Sequence, residues 1–268
     1  MKSIELPRIG MGTWQLRGST CTKILIEGLK LGYRFIDTAQ AYHNEQYVGD
    51  AIEASEIPRD EIVLATKLWI SKLSPRRVHS SFEKSLKKLK TNYVDILYIH
   101  WPAGKYDPDK TLPAMNELVE NGKVKHIGVS NFTIPLLKEA IEKSENPILA
   151  NQVEMHPGLG IHKLHQFNQS QNIYTIAYSP LGRGNIWKNP ILKEIAQNHG
   201  ITVPQVCIAY VLHRDAIPIP KASSKQHLKE NLDALSMTLD DNEIKHIDTL
   251  PKRRFLSPPF APHWDKND

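Results

Sequence analysis

The stretch Val94–Trp101, VDILYIHW, decides how the rest of the chain is read. Apart from Asp95 and His100 it is continuously apolar, without the alternation of a strand that keeps one face in water. A strand covered on both faces belongs to a parallel sheet sheathed in helices.

Seven further runs of this kind surround it. IGMGTW (Ile9–Trp14), RFIDTA (Arg34–Ala39) and IVLATKLW (Ile62–Trp69) precede it, and VKHIGVSN (Val124–Asn131), ANQVEMH (Ala150–His156), IYTIAYSP (Ile173–Pro180) and AIPIPKA (Ala216–Ala222) follow. Between them lie segments of helical period. One opens with Ser74 as expected N-cap and Pro75 at the first helical position, and carries Val78, Phe82, Leu86 and Leu89 as one apolar face. Another carries Met115, Leu118 and Val119 and stops at Gly122; a third opens at Ser223 or Ser224 and carries Leu228, Leu232 and Leu235. Eight strands alternating with helices predict an α/β fold, a closed (β/α)8 TIM barrel. Ile191–His199 and Leu239–Leu250 exceed the eight-fold count and read as two additional helices.

The chain has 268 residues, roughly 1.8 times an average domain, but no linker, repeat or low-complexity block divides it. Residues 1–268 therefore read as one domain. Hydrophobic residues at 40% and charged residues at 24% are those of an ordinary globular chain with a sizeable core. The net charge of +5 is dispersed and suits a small anionic ligand. Basic runs such as Lys87, Lys88 and Lys90, or Arg253 and Arg254, lack the interleaved aromatics of a nucleic-acid surface and read as a solvated helix face and a polar tail. Cys21 and Cys207 read as core thiols of a reducing compartment, and no secretory or membrane-spanning stretch is apparent, so the cytoplasm is the expected location. His162 and His165 share a helical spacing without acidic or cysteine partners; they read as solvated side chains, and no metal is expected.

In such a barrel the chemistry gathers at the carboxyl ends of the strands. Asp37, Tyr42, Lys67 and His100 stand there. Tyr42 can donate a proton to a nascent alkoxide if a cation favours its anion, and Lys67 can be that cation. A lysine among apolar strands needs a carboxylate, and Asp37 is nearest by strand order. His100 can hydrogen-bond and polarise a carbonyl oxygen. The quartet suits carbonyl reduction.

The successive motifs GMGTW, FIDTAQAYHNE, ATKLW, YIHWP, IGVSNF, NQVEMHP, AYSPLGRG and IPIPKASSKQHLKEN fall on the eight strand ends. Together they resemble the aldo-keto reductase family over essentially the whole chain, in its short prokaryotic, diketogluconate reductase-like form. The resemblance implies hydride transfer between a nicotinamide cofactor and a carbonyl or alcohol, with Tyr42 as proton donor, Asp37 and Lys67 tuning it, and His100 orienting the carbonyl.

It also implies a cofactor site. Thr13 and Trp14 would lie against the cofactor, Ser130, Asn131 and Gln152 would hold the carboxamide, and Tyr178 would stack on the nicotinamide. Ser179, Leu181 and Gly182 would line the pyrophosphate, and Lys221, Ser224, His227, Glu230 and Asn231 the adenosine and its 2′-phosphate. Lys221-Ala222 stands where the family most often has Lys-Ser, and His227 where it most often has an arginine. Lys221 remains, so NADPH (NADP+) is the expected cofactor; a histidine grips a phosphate less firmly than a guanidinium, so NADH is expected to be accepted as well. Trp14, Trp69 and Trp101 would wall the substrate pocket. The short stretch between Trp101 and Leu112 and the short tail after Lys252 imply an open pocket, a broad range of small carbonyl substrates and a monomer. The competing expectations are a non-catalytic nicotinamide-binding redox sensor or regulatory subunit, and a phosphate-sugar isomerase, which should carry a glycine-rich phosphate loop after the seventh and eighth strands.

Overall fold

A computed structural model describes residues 4–264. All eight expected strands form, in order, as β1 (Met11–Gly12), β2 (Phe35–Asp37), β3 (Val63–Leu68), β4 (Val94–Ile99), β5 (Val124–Ser130), β6 (Ile148–Glu154), β7 (Tyr174–Tyr178) and β8 (Ile217–Pro218). Each pairs in parallel with its sequence neighbour. The ring shuts where Gly10 N–H donates to Pro218 O at 3.0 Å and Gly12 N–H to Pro220 O at 3.2 Å. Gly12 makes this seam possible, because a Cβ there would lie 2.5 Å from the Ile219 carbonyl oxygen.

Strand alternation separates two cores. Phe35, Ala65, Ile96, Tyr98 and Ile176 fill the barrel interior, while Ile36, Leu64, Leu97 and Ala177 point outward into the helical sheath. Leu6 joins the interior cluster, and the Tyr174 hydroxyl donates to Ile4 O at 2.9 Å, so the segment before β1 stoppers the amino-terminal mouth.

The sheath is α1 (Gly18–Lys30), α2 (Glu45–Ala54), α3 (Pro75–Leu89), α4 (Pro108–Glu120), α5 (Ile134–Lys143), α6 (His162–Ser170), α7 (Pro190–His199), α8 (Val203–His213), α9 (Lys225–Asp233) and α10 (Asp241–Asp248). The two additional helices are α7 and α10, joined by His199 Nε2 and Glu243 Oε1 at 2.7 Å. Val78, Phe82, Leu86 and Leu89 of α3 are buried as their spacing requires. Ser74 holds the N-cap position, but its hydroxyl makes no cap bond; its carbonyl accepts the first helical bonds from Arg77 and Val78 instead. Ser224, by contrast, caps α9 through its side chain, accepting from His227 N–H at 3.2 Å.

Cys21 and Cys207 are buried and unpaired with each other, as expected, and burial pushes the Cys21 thiol up to about 11. His165 corrects the expectation of a solvated pair: it is buried, with Nδ1 2.8 Å from the Thr175 hydroxyl, because α6 turns it toward β7. Arg253 and Arg254 are also not simply solvated. Their guanidinium groups lie over Phe255 and Trp264, 5.0 and 3.8 Å from the ring centroids. No helix among the described residues is long and apolar enough to cross a membrane, and they contain no cluster of three metal-ligating side chains.

Candidate active site

The carboxyl ends of the strands surround one cavity of about 1160 Å³. Of the ten non-glycine residues with left-handed backbone among the described residues, five, Gln15, His43, Asn131, Ser179 and Arg183, line it. Such strain persists only where surrounding structure enforces it, and it concentrates at functional sites.

Beneath the cavity floor, β2 and β3 deliver the expected pair. Lys67 Nζ donates to Asp37 Oδ1 at 2.5 Å and to Thr38 O at 2.9 Å, and neither charged group reaches solvent appreciably. The other Asp37 oxygen accepts from Gln152 Nε2 at 2.7 Å, which ties β6 into the same network. Burial raises Asp37 and lowers Lys67, and their mutual attraction opposes both shifts.

Tyr42 lies over this pair on the short turn Gln40–Tyr42 that follows β2. Lys67 Nζ is 5.1 Å from its ring centroid, and the Arg17 guanidinium holds its carbonyl. Asn44, just beyond, accepts from the Thr38 hydroxyl at 2.7 Å and donates to Thr13 O at 2.8 Å, locking the loops after β1 and β2 together. The expectation that Lys67 acidifies Tyr42 needs correction: burial, and then the Asp37 charge, push the phenol well above its ordinary value and keep its proton on. His100 packs edge-on to Tyr42 at 5.7 Å and to Trp69 at 5.2 Å. Burial and the Lys67 charge hold its imidazole well below 6.5, so it is neutral near pH 7, and its Nδ1 has no partner among the described residues.

The opposite wall is a linked polar surface. The Tyr178 hydroxyl donates to Asn131 Oδ1 at 2.8 Å, Asn131 Nδ2 donates to Ser130 Oγ at 3.0 Å, and Ser130 Oγ donates to Gln152 O at 2.9 Å. Thr13, Trp14, Ser179, Leu181 and Lys221 also line the cavity. Gly182 lies just behind the lining, with a left-handed φ of 54° and no room for a Cβ against Ile186. Ser224, the N-cap of α9, and His227 and Glu230 on that helix lie beyond Lys221, outside the cavity, with His227 exposed. Asn231 is buried under α9 at 4% exposure. The cavity exceeds the roughly 300–1,000 Å³ of a single small-molecule site, and its lining runs from Trp69 and Trp101 to Lys221. An elongated anionic dinucleotide fits that shape and those donors.

Trp69 and Trp101 wall the cavity as expected, while Trp14 is 43% exposed at its rim beneath the Arg183 guanidinium. The expected open tail is corrected. Leu256, Pro258 and Phe260 line the cavity, and Phe260 packs edge-on to Trp69 and Trp101 at 6.0 and 5.6 Å. Sequence reading missed this wall, along with Arg183 and Trp187. The signal for the tail was present in three aromatic residues, Phe255, Phe260 and Trp264, set among prolines and charges.

A closed β/α ring with a buried Lys–Asp pair under a tyrosine, beside a neutral histidine, defines a class of barrel enzyme. The chain matches the aldo/keto reductase family over residues 8–252 and belongs to it. It is 37% identical to methylglyoxal reductase DkgB of Escherichia coli O157:H7, across 98% of this chain and all of that protein. It is 35% identical to the glyoxal reductase of Bacillus subtilis (strain 168), over 95% of this chain and 92% of the relative. Among solved structures, the aldose reductase of Schistosoma japonicum superposes with a TM-score of 0.92 at 29% identity, over 98% of this chain and 97% of that one.

Proposed function

We propose that the chain reduces aldehydes and ketones to alcohols with a nicotinamide cofactor, preferring NADPH and also accepting NADH. The observation that carries this reading is the buried Lys67–Asp37 pair under Tyr42, with His100 against the same ring and a dinucleotide-sized cavity above. When bound, the cofactor supplies the hydride.

The chain's own groups do the rest. Ser130, Asn131 and Gln152 offer polar atoms to the carboxamide, and Tyr178 offers a ring face. Lys221 lines the same cavity and would take the phosphates, with the N-terminal amides of α9 beyond it. His100, neutral at pH 7, hydrogen-bonds the carbonyl oxygen and fixes its position. As negative charge gathers on that oxygen, Tyr42 gives up its phenolic proton to it. The phenolate that remains lies near the Lys67 ammonium, so the charge that fails to acidify the resting phenol stabilises its product. Asp37 keeps that ammonium charged in a site from which water is excluded.

Tyr42→Phe tests the assignment. NADPH binding, followed by quenching of tryptophan fluorescence, should hold within about twofold, while carbonyl reduction falls by about 10²–10⁴. Near-normal reduction by a variant that still binds NADPH would show that Tyr42 is not the proton donor.

A further inference from the structure

Glu154, the last residue of β6, is wholly buried and does not line the cavity. A carboxylate withdrawn from water is costly unless it is hydrogen-bonded or paired. Here the compensation comes from far along the chain. Oε1 accepts from Phe255 N–H at 2.8 Å and Oε2 from Leu256 N–H at 3.0 Å, residues 101 and 102 positions away. His156 Nε2 lies 3.2 Å from Oε1, its Nδ1 lies 2.8 Å from Pro157 O, and its ring packs on Phe255 at 5.0 Å. Arg253 N–H donates to Gly158 O at 3.0 Å alongside.

These contacts converge on a segment with no helix or strand of its own. Such backbone ordinarily spends its donors on water. A carboxylate that served only to fill the core would not receive two consecutive N–H groups of a remote loop. From this anchor the chain runs to Phe260, whose ring meets Trp69 and Trp101 edge-on, and Trp69 in turn meets His100.

We infer that Glu154 is a positioning residue for the substrate pocket: it fastens the tail so that Phe260 completes a three-ring wall with Trp69 and Trp101. That wall selects carbonyl compounds bearing a flat apolar group over small ones such as methylglyoxal. Flat rings gain from edge and face contacts with the wall, whereas a three-carbon dicarbonyl leaves it mostly untouched. The inference rests on the reductase reading above.

The test compares benzaldehyde with methylglyoxal in the full chain. Glu154→Gln keeps the side-chain shape but turns one acceptor into a donor facing an N–H. It should lower the benzaldehyde-to-methylglyoxal ratio of kcat/KM about tenfold, chiefly through the KM for benzaldehyde, and speed hydrogen exchange at the Phe255 and Leu256 amides at least tenfold. Phe260→Ala, at an exposed position that does not threaten the fold, should lower the same ratio at least as far. The double variant should be no worse than Phe260→Ala alone, because both act through one wall. An unchanged ratio in either single variant, or losses that multiply in the double, would overturn the inference. If the native chain reduces neither aldehyde, the function proposal fails instead, and amide exchange alone still decides whether Glu154 anchors the tail.

Discussion

Lys67 Nζ stands 2.5 Å from Asp37 Oδ1 and 5.1 Å from the ring centroid of Tyr42, with its side chain entirely out of water. One ammonium therefore faces both the Asp37 carboxylate and the Tyr42 ring. Lys67→Met strands the Asp37 carboxylate without its cation. It should cost about 3–5 kcal/mol of unfolding free energy and abolish measurable turnover. Urea denaturation and single-turnover kinetics check the two parts separately.

His100 makes stability depend on acid in one direction. Its folded pKa lies well below 6.5, whereas the unfolded chain takes up that proton near 6.5. The stability contributed by the neutral imidazole is thus fully present above about pH 6.5 and declines below it, by up to about 1.4 kcal/mol per pH unit. His100→Gln should flatten the acid side of the stability profile by up to one proton, measured as urea midpoints between about pH 7.5 and 5. Reduction by the native chain should show no inflection from His100 near its ordinary value.

Gly12 sits where β1 and β8 close the ring, and a methyl group there would press on the Ile219 carbonyl oxygen at 2.5 Å. Backbone cannot yield as a side-chain tip can. Gly12→Ala should lose about 1–3 kcal/mol, or a few degrees in thermal melting temperature. Differential scanning calorimetry provides the comparison.

His227 is exposed on the first turn of α9, next to the cap formed by Ser224. His227→Arg adds a permanent charge and a second parallel donor toward a 2′-phosphate. It should tighten NADPH binding about tenfold and leave NADH within about twofold, which titration of each cofactor measures.

The barrel was legible because its strands are written as apolar runs, and each of the eight appears in its expected place. Asp37, Lys67 and His100 were legible by the same logic, since strand order alone sets them side by side. What strand order did not show was the pocket's outer wall. The tail has no helical or strand period, so its course depends on Glu154, a side chain that reads from sequence as one more polar residue in a strand. The acidity of Tyr42 is hidden from the sequence for a related reason. Position along the chain reports that Lys67 is near, but not that burial and the Asp37 charge together push the phenol up. His165 likewise reads as a surface residue until α6 turns it onto Thr175.

The seam between β1 and β8 also bears on how copies of this chain coexist in a crowded solution. A ring shut by Gly10 and Gly12 leaves none of its described strands with an open side, so neighbouring molecules find no ladder to extend. Opening that one joint would uncover two adhesive borders at once. Heating should therefore end in turbidity rather than in a soluble opened chain, at a lower temperature for Gly12→Ala, and light scattering should rise together with the melting transition.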